Sequence, residues 1–318
     1  MYSYYIDAYE FINFRYSASI FTTMYDDILC ELSEFTYQKS KSNQKRLMMH
    51  IVQRRLGLII GLISLLVSRL ICFLSFYLSS MCKQKKILYI SDSRGFLVGS
   101  PWSYKNHFGN YLISGLQHHY AVLPIINRHK YTTILDGLDF IRKTRYKFDL
   151  IVLHLGVVDF SPRARSSAEL VRAKKMSSLV KQPVCELNKK YELKPTFLNL
   201  NMRESAMYDG EITDAIANYT YIAMIKKMIN DIPYPMIAIT TNVVDLSWRG
   251  NYWRDRPVNM NSYLSVEREF WRDTGISCIS LDECSESVRE TTMDNIHPSK
   301  LGFQKLEQLV RKEIANLY

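Results

Sequence analysis

Two short segments hold the residue types of a nucleophilic site: Ser91-Asp92-Ser93-Arg94-Gly95 and Asp294-Asn295-Ile296-His297-Pro298. A serine hydroxyl is a weak nucleophile until an adjacent imidazole takes its proton, and the imidazole needs an acid to fix its tautomer. Asp294 and His297 are three residues apart, so the carboxylate reaches the ring if the loop turns as a helix start does. Ser93 follows Ile87-Leu88-Tyr89-Ile90, an apolar run that reads as a buried strand, and so falls on a strand-to-helix turn. At the C-terminal edge of a parallel sheet such a turn faces a crevice, not the core.

The elements that must hold these segments are legible as apolar runs. Ile87–Ile90, Ala121–Ile126, Leu150–Leu155, Met236–Thr240 and Ile276–Leu281 are short and lack polar alternation, as strands buried on both faces do. Between them Tyr104–Leu116, Ile134–Thr144, Ser167–Tyr191, Ile212–Asn230 and Ser262–Thr274 read as crossover helices. Leu301, Phe303, Leu306, Leu309, Val310 and Ile314 mark a terminal amphipathic helix directly after His297-Pro298. The expected fold is therefore α/β: a three-layer α/β/α domain over residues 83–318, built on a five-stranded parallel flavodoxin-like sheet. His154, in an apolar strand, reads as a hydrogen-bonded core residue.

Taken with Gly156-Val157-Val158-Asp159, these segments resemble the SGNH (GDSL-like) esterase and acyl-hydrolase superfamily over roughly residues 84–318. Members carry a Gly-Asp-Ser turn with the nucleophile, a Gly-x-Asn-Asp loop and a terminal Asp-x-x-His. The resemblance implies acyl-ester chemistry with Ser93 as nucleophile, His297 as base and then acid, and Asp294 orienting the ring. It implies a pocket shaped by Gly156, Asp159 and Arg163. Two departures concern the oxyanion hole. The family's asparagine is Val158, which has no side-chain donor, and its second-block glycine falls near His129. Substitute donors are the amides of Ser93 and Arg94 and the side chains of Arg94, Asn106, Asn110 or Asn127, with Arg94 first because it directly follows the nucleophile.

Residues 1–82 differ in character and form a separate N-terminal helical region. Tyrosines crowd the first 37 residues, a basic tract follows, and Leu56 to Ser80 contains a single charge, Arg69. That is membrane-spanning length, although an arginine at mid-bilayer costs about 2.5–3.5 kcal/mol, which leaves a monotopic helix or one packed on the catalytic domain as rivals. Gly57, Gly61, Ser64, Ser68, Cys72, Ser75 and Ser79 share one face, the pattern by which membrane helices approach, and suggest a homo-oligomer. The expectation is membrane association. Basic residues flank both ends of the segment, so the side of the catalytic domain stays open, with a cytoplasmic location as the alternative.

A net charge of +10 and a pI near 9.2 suit anionic headgroups or an acidic glycan. No nucleic-acid motif is present, and neither a cofactor nor a metal is implied. Cys278 and Cys284 form the one pair to test for a bridge. Trp248-Arg249-Gly250-Asn251-Tyr252-Trp253-Arg254 and Pro101-Trp102-Ser103-Tyr104 offer aromatic faces and arginines suited to sugars. Within the SGNH resemblance the expected substrate is an O-acetyl group on a bacterial surface polysaccharide or other glycan. Three functions remain open: an esterase, an O-acetyltransferase using the same triad, and a non-catalytic glycan-binding protein.

Overall fold

The structure, a computed structural model, describes residues 67, 70–82, 84–96, 110–126, 131–179, 205–252 and 255–318. Asn106, Asn127, His129, Pro101–Tyr104, Trp253, Arg254, Ser68, Arg69 and the apolar segment before Val67 lie outside it. Two compact units divide the chain, Met1–Leu56 and Gly57–Tyr318. All the described residues belong to the second unit.

Five strands form the sheet: β1 (Lys86–Ser91), β2 (Ala121–Ile126), β3 (Leu150–His154), β7 (Met236–Ile239) and β8 (Ser277–Ile279). Their order is β2-β1-β3-β7-β8 and every pairing is parallel. Ile87, Leu88, Tyr89 and Ile90 are each 2 % exposed or less, because crossover helices cover both faces. On one face Leu112, Ile113 and Leu116 of α2 (Tyr111–Gln117) and Phe303, Leu306, Val310 and Ile314 of α9 (Lys300–Leu317) close a cluster with Ile87, Tyr89, Val122 and Ile237. Helices α3 (Ile134–Lys143), α5 (Arg165–Leu179), α6 (Tyr219–Asn230) and α7 (Met260–Asp273), with the short turns α4 (Val157–Phe160) and α8 (Val288–Thr291), complete the described helices of the domain.

One expected helix is two elements. Ile212–Asn230 divides into strand β6 (Glu211–Asp214) and α6, because Asn218 caps α6 by accepting from the Tyr221 amide at 2.9 Å. Asp209 and Gly210 both have positive φ, 53° and 80°, the conformation a two-residue hairpin turn demands. They join β5 (Met207–Tyr208) to β6, and β4 (Arg163–Ala164) completes a small antiparallel sheet.

Helix α1 (70–81) is the described end of the apolar segment. Cys72 and Phe76 are buried, and Phe76 packs against Tyr146 and Phe148. Burial raises the Cys72 thiol to about 11, partly offset by a hydrogen bond with Gln117. Of the described part of the small-residue face, Cys72 is buried and Ser75 and Ser79 are half-buried. The opposite face exposes Leu70, Ile71, Leu74, Tyr77, Leu78 and Met81. No described helix is long and apolar enough to cross a membrane.

Candidate active site

Ser93 opens a single 3-10 turn (Ser93–Gly95) directly after β1. The turn is built from below. Asp92 accepts from the Arg94 amide at 2.9 Å, and Asn110 donates to the Gly95 carbonyl at 2.8 Å. A Cβ on Gly95 would stand 2.9 Å from Ile126 and from the Ser91 Cβ, so only glycine lets the turn lie this close to the sheet.

Asp294 and His297 sit in the loop between α8 and α9. The Asp294 carboxylate accepts from the Ile296 amide at 3.1 Å and the His297 amide at 2.8 Å, while the Met293 amide donates to the His297 carbonyl at 2.8 Å. This backbone cage aims the ring. His297 Nδ1 lies 2.9 Å from Asp294 Oδ2, and Nε2 lies 3.0 Å from Ser93 Oγ. Burial by itself would raise the Asp294 carboxyl; the hydrogen bond and charge of His297 and the charge of Arg256 outweigh it and hold the group at about 2. Asp294 is therefore ionised across the physiological range, and its hydrogen bond selects the tautomer with Nδ1–H and a lone pair on Nε2 facing the serine.

Other expected site residues are placed differently. Arg94 is 1 % exposed. Its Nε and NH2 donate to Asp92 and its NH1 to Thr241 Oγ1 at 3.0 Å. Its guanidinium braces the turn from inside instead of pointing at the serine oxygen, because a buried cation must stay with its carboxylate. The Arg94 amide is likewise spent on Asp92. Asn110 caps α2 and holds Gly95, leaving its side chain committed beneath the turn. Asp159, fully buried, accepts from the Ile134 amide and the Tyr221 hydroxyl, and burial lifts its carboxyl to about 8. It ties α3 to α6 from the interior. Gly156 has φ 128°, and a Cβ there would run into the Glu267 carboxyl. Arg163 donates to the Val158 carbonyl and faces the Tyr131 ring. Val158 packs beside Val244, Met260 and Ile296. Cys278 and Cys284 are both free thiols.

Two participants, Arg256 and Glu267, escape a sequence reading, whereas His154 is the buried, hydrogen-bonded core residue expected. Arg256 donates to the Asp294 carbonyl at 2.9 Å, lies 3.3 Å from its carboxylate and stacks 3.6 Å over Tyr252. Glu267, on α7, is fully buried behind Gly156, and burial raises its carboxyl to about 7 against the pull of Arg94. His154 pairs through Nδ1 with the Tyr89 hydroxyl at 2.9 Å, and burial keeps it neutral, helped by Arg94 and His297. Neither Arg256 nor Glu267 has a local pattern: each works across elements far apart in the chain.

A parallel sheet in this order, with a serine after its first strand and an acid–imidazole pair before its last helix, is an α/β arrangement that sets a hydroxyl, an imidazole and a carboxylate in one line. The chain is similar to the solved structure of a lipase/acylhydrolase from Enterococcus faecalis, with 17% identity over 72% of this chain and 95% of that one and a TM-score of 0.40. It is also similar to a carbohydrate acetylesterase from Sinorhizobium meliloti, with 10% identity over 74% and 100% and a TM-score of 0.42. A psychrotrophic esterase from Pseudoalteromonas shares 12% identity over 73% and 98%, with a TM-score of 0.38. No family model and no curated protein sequence matches the chain.

Proposed function

We propose that the chain is a divergent SGNH-type serine ester hydrolase, with Ser93 as nucleophile, His297 as general base and acid, and Asp294 as the group that orients the imidazole. The observation that carries this reading is the unbroken relay from Ser93 Oγ through His297, at 3.0 Å, to Asp294, at 2.9 Å. In it, His297 Nε2 takes the hydroxyl proton as Oγ bonds to the acyl carbon. The imidazolium then gives that proton to the departing alkoxide, and water repeats the sequence on the acyl-enzyme. The Ser93 amide, which makes no hydrogen bond within the described chain, is the donor available to the tetrahedral oxygen. A missing second donor at Val158 costs about 10²–10³ in rate, so turnover is expected to be slow for this class.

The substrate in this reading is an O-acetyl group on a sugar of a bacterial surface polysaccharide. Trp248, Arg249 and Tyr252 sit on the loop tied to the acid–imidazole turn and offer ring faces and charge to a glycan. An acetyltransferase would hand the same acyl-enzyme to a sugar hydroxyl, and adding a free sugar acceptor to the assay separates the two. Ser93→Ala tests the core claim: turnover of an aryl acetate should fall by on the order of 10⁶ with an unchanged circular dichroism spectrum. Retained wild-type turnover would sink the assignment.

Helix α1 supports a membrane-surface location. Leu74 and Leu78 are 49 % and 62 % exposed on its outer face. Beside the Tyr146 and Phe148 on which Phe76 rests, Arg142, Lys143, Arg145 and Lys147 are all exposed. An apolar helix face next to a basic strip fits an anionic lipid surface, into which the helix lies flat. Sedimentation with vesicles containing phosphatidylglycerol should carry the protein down, and Leu78→Glu or high salt should release it. Equal binding to neutral vesicles would remove the electrostatic half of the proposal.

A further inference from the structure

Asn295 lies between the two triad residues of its loop, is fully buried and has φ 73°. Glycine is unstrained in that left-handed conformation and asparagine merely tolerated, so the side chain is the reason to look for a role. Every polar group of the residue is used. Nδ2 donates to the carbonyls of Asp245, at 3.0 Å, and of Trp248, and Oδ1 accepts from the Asp245 amide at 2.9 Å. The backbone carbonyl accepts from Asn242 Nδ2 at 2.9 Å, and the amide donates to Thr292 Oγ1 at 3.1 Å.

Residues 242–252 follow the C-terminal end of β7, the sheet edge at which ligands bind, and with Arg256 are bonded to the acid–imidazole turn at three successive positions. The Asn251 amide donates to the Met293 carbonyl at 3.0 Å, and Gly250, φ 55°, lies so near that oxygen that a Cβ would collide with it. Arg256 holds Asp294, and Asn295 holds Asp245 and Trp248. The His297 ring is left to Asp294 and Ser93.

We infer that Asn295 is a positioning residue that locks the Trp248–Tyr252 loop to the triad turn, making that loop a fixed wall of the acyl-ester site and a determinant of which alcohol part is accepted. The inference rests on the proposed ester hydrolase reading. An aryl acetate is too small to need the wall, whereas an O-acetylated tetrasaccharide lies along it, so a loosened loop penalises the second selectively.

The test uses Asn295→Gly, which keeps the backbone conformation and deletes the ties, and Gly250→Ala, which disturbs the same seam from the loop side. Both variants should lose kcat/KM for the O-acetylated tetrasaccharide about tenfold more than for the aryl acetate, mostly through KM. In a double-mutant cycle Trp248→Ala should absorb the Asn295→Gly loss, since residues acting through one another are not additive. Equal losses on the two esters, or additivity with Trp248→Ala, would overturn the inference. If the wild-type protein cleaves neither ester, the hydrolase reading fails, and amide hydrogen exchange then decides the lock alone: at Asp245 and Asn251 it should accelerate at least about tenfold in Asn295→Gly. Unchanged exchange there would defeat it.

Discussion

Replacing Asp294 by asparagine keeps the size of the side chain and presents Nδ1 with a group that no longer selects the productive tautomer. Asp294→Asn should lower kcat by about 10⁴-fold with little change in KM, measured on an aryl acetate at neutral pH. Arg94 obeys a different logic. Because it neutralises Asp92 in the interior, Arg94→Met leaves a buried carboxylate unpaired and should cost roughly 3–5 kcal/mol in urea unfolding, and Asp92→Asn in the same chain should recover part of it. A stable Arg94→Met protein with kcat alone reduced would return Arg94 to the oxyanion role. The difference between these residues also marks what a sequence can say. Ser93 is legible at the end of an apolar run, and Asp294 and His297 at a three-residue spacing, because each of these signals is local and the residue types are chemically specific. The role of Arg94 is not, since only the folded chain shows that its Nε, NH1 and NH2 are engaged by Asp92 and Thr241.

At the scale of elements, the turn after β1 depends on a missing side chain. Gly95→Ala forces Ile126 or the Ser91 side chain to give way by several tenths of an ångström, so it should cost about 1–3 kcal/mol and shift Ser93 away from His297. The expected readout is a drop in kcat larger than the drop in melting temperature would explain. The five strands are legible as apolar runs because burial on both faces erases polar alternation, and their parallel order follows from the helices between them. The division of Ile212–Asn230 is hidden in the sequence for a related reason. The Asp209-Gly210 turn and the Asn218 cap are each short signals, outweighed in a window of sequence by the apolar residues of α6, and the hairpin they delimit spans only Met207–Asp214.

For the whole molecule, two buried carboxyls set a pH dependence of stability. Glu267 and Asp159 are raised to about 7 and about 8, in both cases chiefly by burial. The folded chain therefore holds protons that the unfolded chain has already released. Their stabilising contribution is complete below the ordinary carboxylate range and is lost as pH rises through about 7 to 8. Urea midpoints should fall between pH 5 and pH 8.5, by on the order of a few kcal/mol in unfolding free energy, and Glu267→Gln should flatten the slope. A midpoint that climbs over that interval would contradict the sign.

The relay also imposes a timetable on the life of each molecule. Ser93 and His297 are 204 residues apart, and the imidazole is set by a loop that exists only once α9 has packed against α2 and β1. During synthesis the serine turn can form with the first strands, yet its hydroxyl has no base until the segment carrying His297 has emerged and docked. On the proposed reading, each new molecule is therefore silent toward esters until that loop is in place. By the same reading, a chain stopped before Asp294 should be inert toward an aryl acetate that the full chain turns over.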